Sequence, residues 1–100
     1  MRIKILAVAE QELSEAMDYY NQQCAGLGYE MLLEVKESIN RIKSFPEAWP
    51  KISDSTRRCL VHRFPYGILY KPKKNEIIVY AIMHLQRDPE KWTNRLSSQV

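Results

Sequence analysis

Apolar and basic residues alternate at the start of the chain, and then the period changes. Across Arg2–Val8, Ile3 and Ile5 fall on one face and Arg2, Lys4 and Leu6 on the other, a period of two that predicts a strand. From Ala9 onward, Leu13, Ala16, Met17 and Tyr20 recur at helical spacing. Glu10, Glu12, Glu15 and Asp18 lie early in this segment, where carboxylates suit the positive end of a helix. The helix is expected to stop near Ala25-Gly26-Leu27-Gly28, whose glycines permit a tight reversal. A second helix is predicted from about Tyr29 to Lys43. Leu32, Val35, Ile39 and Ile42 form its buried stripe with support from Met31, and Glu34, Lys36, Glu37, Asn40 and Arg41 form its wet side. Two amphipathic helices joined by a glycine turn make a hairpin whose apolar stripes require a sheet to rest on.

The segment Ser44–Thr56 holds Phe45-Pro46, Trp49-Pro50 and Ser53-Asp54-Ser55 and reads as a loop. Three strand-like runs follow: Arg57–Phe64 up to the turn Pro65-Tyr66-Gly67, Ile68–Lys71 up to the turn Pro72-Lys73-Lys74-Asn75, and Glu76–His84. The last is almost continuously apolar, as expected of a central strand covered on both faces. Short turns between the runs predict an antiparallel meander. Leu85–Val100, with Pro89, Trp92 and Leu96, is expected to be a short helix or a tail packed on the sheet edge. The fold class is therefore α+β: an N-terminal strand, a helical hairpin, a three-stranded antiparallel meander and a short C-terminal tail or helix. With 100 residues and no internal repeat, residues 1–100 are expected to form one domain.

Charge adds an asymmetry. Residues 1–50 carry five Lys/Arg against eight Asp/Glu, net −3, whereas residues 51–100 carry ten against four, net +6. A basic half suits an anionic partner, nucleic acid or an acidic protein, although lysines and arginines also keep sheet edges soluble. No apolar run approaches the roughly 20 residues of a membrane span, and the N-terminus lacks a signal-peptide core. No membrane partner and a cytoplasmic location are expected. Cys24 and Cys59 show no CxxC spacing, which argues against a zinc site or disulfide scaffold. Cys59 reads as a small buried apolar residue.

Missing parts exclude most familiar chemistries. His62 and His84 are the only histidines, and they are far apart. Three glycines cannot build a phosphate loop or a dinucleotide fingerprint, and there is no G-x-S-x-G. No metal and no cofactor are expected. What remains is a basic and aromatic set in the second half: Arg57, Arg58, Arg63, Tyr66, Tyr70, His84, Arg87, Trp92 and Arg95. Arginine offers a planar fork to phosphate oxygens, and aromatic rings offer platforms to unstacked bases. His84 ends the apolar strand, and with an ordinary pKa of about 6.5 an imidazole can move a proton near neutrality. Metal-independent RNA cleavage needs a base for the ribose 2′-hydroxyl, cations for the phosphate and an acid for the leaving oxygen. A histidine at a strand end is more often a hydrogen-bonded structural residue than a catalyst, Tyr66 and Tyr70 suit the core, and Trp92 suits an anchor for the tail.

The residues resemble a known family. Glu12-Leu13-Ser14-Glu15-Ala16 with Tyr19-Tyr20 and Leu27-Gly28, and the Phe45-Pro46…Trp49-Pro50 loop, are similar to those of RelE/ParE-superfamily toxins. So are Arg63-Phe64-Pro65-Tyr66-x-Ile68-x-Tyr70 and Ala81-Ile82-x-His84-x-x-Arg87-x-Pro89-x-x-Trp92-x-x-Arg95. The resemblance implies the toxin of a bacterial type II toxin–antitoxin system, often of the plasmid-stabilisation kind, with a helical hairpin on a small antiparallel sheet. RelE-like members cleave mRNA on the ribosome, whereas ParE-like members poison DNA gyrase on the same fold. By this resemblance the expected activity is growth inhibition as an mRNA interferase, a metal-independent endoribonuclease. His84 would be general acid or base, Arg63 and Arg87 would hold the scissile phosphate, and Arg57 would assist. The strongest nucleases of the superfamily carry a lysine-dense strand, and Arg57–Phe64 contains no lysine. Non-enzymatic inhibition of DNA gyrase is the alternative, and a module that has lost its toxicity is a third. The implied partners are a cognate antitoxin with a mostly acidic segment, for which the basic half, Leu85 and Trp92 offer a landing surface, and either mRNA on the ribosome or gyrase.

Overall fold

The computed structural model describes residues 1–87. Strand β1 (Arg2–Ile5) leads into helices α1 (Ala7–Gln23) and α2 (Leu27–Ser44), followed by strands β2 (Arg57–Leu60), β3 (Tyr66–Pro72) and β4 (Glu76–His84). The four strands form one sheet in the order β1-β4-β3-β2. β2, β3 and β4 make the antiparallel meander expected from their turns, and β1 pairs parallel to β4, so the sheet is mixed. The tail expected over Leu85–Val100 lies outside the described residues beyond Arg87, as do Trp92 and Arg95.

The helical hairpin covers one sheet face. Met31, Val35 and Ile42 from α2 and Ala9 and Ala16 from α1 bury themselves against Cys59, Ile68, Tyr70, Ile77, Val79 and Ile82. Leu69, Ala81 and Met83 lie on the opposite face, with Ile52 and Leu85 packed against them. β4 is thus apolar on both sides, as its unbroken run of apolar residues requires. Gly26, with φ of 89°, turns the chain between the helices. Gly28 lies inside α2 rather than in the turn. A β-carbon there would stand 2.3 Å from the Met17 carbonyl oxygen, so its absence sets how closely the helices approach, and its N–H donates to Asn21 Oδ1 at 2.8 Å.

Two strand boundaries differ from the sequence expectation for local reasons. β2 ends at Leu60 rather than Phe64, because Arg63 adopts φ of 71° and Val61 N–H turns to the Tyr66 carbonyl at 2.9 Å. β3 runs Tyr66–Pro72 rather than Ile68–Lys71, and takes in Tyr66 and Gly67, which the sequence placed in a turn. The third feature is a bulge. Leu69 pairs with Ala81 and Tyr70 with Val79, which leaves Tyr80 as an extra residue in β4. The extra residue inverts the alternation. Ile77 and Val79 face the helices before it, and Ile82 and His84 after it.

Candidate functional site

The bulge gives His84 its surroundings. By strict alternation from Val79 it would point away from the helices; instead its ring meets Tyr66 edge-on, with centroids 5.2 Å apart. An aromatic chain continues from there, Tyr66 to Tyr20 at 6.2 Å and Tyr20 to Phe64 at 4.9 Å and Tyr19 at 5.1 Å. Burial pushes the Tyr20 phenol above its ordinary pKa. Tyr66 and Tyr19 add to the shift and Arg87 opposes it.

β1 reaches only to the partner of Val79, so the remaining half of β4 has no strand on that side. Helix α1 takes over. Glu12 Oε1 accepts the Ile82 backbone N–H at 3.0 Å, a bond that a further strand would otherwise supply. Glu12, Glu15, Ala16 and Tyr19 share one face of α1 and, with Tyr66, Ile82 and Arg87, line a shallow pocket of about 270 Å³. Arg87 donates from Nη2 to the Tyr66 hydroxyl at 2.9 Å, and its Cζ stands 5.4 Å from the Tyr19 ring centroid. His84 Nδ1 accepts the backbone N–H groups of Gln86 and Arg87, both at 3.1 Å. That bonding places the neutral ring's proton on Nε2.

The four residues named as catalytic candidates lie in three places. Arg87 lines the pocket, and His84 adjoins it through its ring contact with Tyr66 and its bond to the Arg87 N–H. Arg57 is paired with Tyr70, four residues along β3 from the partner of His84 and about 13 Å away at strand rise. Its Nη1 donates to the Trp49 and Glu47 carbonyls at 2.7 and 3.1 Å, tying down the proline loop. Arg63 turns to α2, with Nη2 2.7 Å from Glu30 Oε1 and Nη1 3.5 Å from Glu34 Oε2. No three His, Cys, Asp or Glu side chains group to hold a metal among the described residues. Cys59 is buried in the core, and burial raises its thiol pKa against the opposing pull of Arg41. No helix among the described residues is long and apolar enough to cross a membrane.

Two carboxylates of the pocket carry a different expectation from the sequence. Glu12 and Glu15 read in the sequence as partners of a helix dipole, and Tyr66 as either an aromatic platform or core. The available signal was the spacing of Glu12, Glu15, Ala16 and Tyr19, which puts two carboxylates and an aromatic ring on one helical face.

A family model described as the ParE toxin of the type II toxin–antitoxin system parDE matches residues 3–89. The chain belongs to the ParE toxin family. Among solved structures it is similar to the chromosomal ParDE toxin–antitoxin system from P. aeruginosa, with 18% identity over 86% of this chain and 97% of that one, at a TM-score of 0.65. At that identity the likeness is one of fold. No curated protein matches. The chain is thus a ParE-type toxin of a type II toxin–antitoxin system, and such a system implies a cognate antitoxin.

Proposed function

We propose that this toxin acts by binding a protein target, DNA gyrase, and not by cleaving RNA. The observation that carries the reading is the charge around Arg87: Glu12 and Glu15 line the same pocket, which His84 adjoins through the Tyr66 ring. A phosphodiester carries negative charge, and two carboxylates beside one guanidinium repel it where a nuclease would gather cations. Arg57 and Arg63, the other cations a phosphate would need, are engaged with loop carbonyls and with Glu30 and Glu34. His84 Nδ1 is occupied by two backbone amides and has a structural part in the turn that follows β4. The match to the ParE branch of the superfamily supports the same target. A mixed-charge, aromatic-walled pocket on a rigid sheet end suits recognition of a protein surface, where tyrosine and arginine are the favoured anchors.

One observation favours ribosome-dependent mRNA cleavage instead. His84 and Arg87 lie together at the exit of β4, an imidazole and a guanidinium within one turn. Labelled thymidine and labelled methionine, followed after inducing the toxin without its antitoxin, separate the two readings. Gyrase inhibition stops thymidine incorporation first while translation continues; an early stop in methionine incorporation overturns it.

A further inference from the structure

At the opposite end of the sheet lies a second, larger concavity of about 720 Å³, walled by Met1, Phe45, Pro46 and Pro72. Lys73 and Lys74 stand on its rim with Glu47. Pro72 is six residues along β3 from Tyr66, so about 20 Å separates this concavity from the pocket lined by Tyr66 and Arg87. Phe45 is 66% exposed and Met1 56%; Phe45 is the most exposed large apolar side chain among the described residues. We propose that this concavity seats an acidic segment of the cognate antitoxin, with one of its apolar side chains against Phe45 and its carboxylates on Lys73 and Lys74.

Three observations argue for that occupant. First, the rim is basic and unsatisfied. Neither lysine makes an ion pair among the described residues, and Glu47 is the single carboxylate that lines the concavity. Two adjacent ammonium groups over an apolar floor complement a segment that is both acidic and apolar, and repel a basic one. Second, the apolar wall is held in place before any partner arrives. The hydroxyl of buried Tyr70 donates to the Pro46 carbonyl at 2.7 Å, and Arg57 holds the Glu47 and Trp49 carbonyls. Phe45 N–H closes α2 onto the Arg41 carbonyl at 2.9 Å, and Lys73 N–H closes the β3–β4 turn onto the Glu76 carbonyl at 2.7 Å. A preformed wall leaves ordering losses to the partner alone. Third, the two ends of the sheet carry opposite chemistry. The His84 end presents Glu12 and Glu15, so an acidic segment is directed to the lysine end. The concavity is too small for a whole stable interface and acts as one anchor of a longer one.

This assignment rests on the antitoxin that family membership implies, and it stands or falls separately from the gyrase reading. The test is calorimetric titration of full-length antitoxin into the toxin and its variants. Phe45→Ser is expected to weaken binding by about 30-fold, the loss of an apolar anchor. Lys73→Glu with Lys74→Glu is expected to weaken it by about tenfold and to flatten its salt dependence. Lys36→Glu, an exposed charge reversal on α2 away from the concavity, is expected to stay within about twofold of the unaltered protein. Because the substituted side chains are exposed, thermal unfolding of each variant should match the unaltered toxin, which separates lost contact from lost fold. Unchanged affinity in both variants overturns the assignment. So does an equal loss in Lys36→Glu, which would indicate general charge attraction. Loss of self-association or of target binding with antitoxin affinity intact gives the surface to another partner and also overturns it.

Discussion

Arg87 Nη2 donates to the Tyr66 hydroxyl at 2.9 Å, which ties the exit of β4 to the start of β3. The same guanidinium lies against the Tyr19 ring of α1. Arg87 is therefore a brace between strand and helix as well as a pocket wall, and the turn that carries it is held by His84 Nδ1. The chemistry at this end of the sheet depends on which of these duties His84 performs.

Replacing His84 separates acid–base work from turn capping. In His84→Asn the amide Oδ1 takes the place of Nδ1 and still accepts the two N–H groups, but the ring nitrogen that would move a proton is gone. Toxicity and thermal stability are expected to survive this change. His84→Ala loses the acceptor and the edge-on contact with Tyr66, and is expected to destabilise the fold by about 1–3 kcal/mol in denaturant unfolding. Growth of cells expressing each variant checks the pair. A non-toxic but fully folded His84→Asn contradicts the structural role.

Gly28 supplies a second check, on the helical hairpin. A β-carbon there meets the Met17 carbonyl oxygen at 2.3 Å and the Asn21 side-chain amide at 2.7 Å. Backbone cannot yield as a flexible side chain does, so Gly28→Ala is expected to cost about 2–3 kcal/mol despite the better helix propensity of alanine. Chemical denaturation measures it, and unchanged or raised stability would mean that the helices can move apart freely.

The helical stripes were plain in the sequence, since Val35 and Ile42 recur at a helical period and need only a sheet to cover them. β4 was plain as well, because nine residues of nearly unbroken apolar character have one common explanation. The pocket was not legible, for three physical reasons. The Tyr80 bulge adds one residue and inverts every later side-chain direction, and nothing in Val79-Tyr80-Ala81 announces it. Arg63, three residues beyond the end of β2, turns the chain in a left-handed conformation that is uncommon for a non-glycine residue, and its side chain pairs with Glu30 and Glu34 far away in the sequence. Glu12 serves a backbone N–H seventy residues away, a bond that helix periodicity cannot reveal.

Arg63 itself gives a test of that second point. Both glycine and alanine at this position lose the ion pairs with Glu30 and Glu34, but glycine adopts a φ of 71° without strain whereas alanine keeps the strain. Arg63→Gly is expected to melt above Arg63→Ala, with both retaining toxicity. Loss of toxicity in both variants, with the fold intact, would return Arg63 to a role at the target.

Tyr70 sets the response to alkali. Burial pushes its phenol up to about 12, only partly opposed by Arg57. The folded state holds this proton more tightly than the unfolded chain, whose tyrosines ionise near pH 10. The contribution to stability is therefore complete below about pH 10 and is lost as the pH rises toward 12. Tyr70→Phe removes the ionisable group, so its alkaline stability should fall less steeply, although loss of the bond to the Pro46 carbonyl lowers stability by about 1 kcal/mol near neutrality. Unfolding free energy measured across this range, with phenolate absorbance followed in parallel, checks the sign. Equal slopes in both proteins would count against it.

The most direct measurement sets purified toxin before both targets at once: DNA gyrase with relaxed plasmid, and ribosomes translating a defined mRNA. Expected is loss of supercoiling by the unaltered protein and by His84→Asn alike, with the mRNA left whole. Undisturbed supercoiling together with mRNA cut by the unaltered protein and spared by His84→Asn would contradict the gyrase reading and restore His84 as an acid–base catalyst.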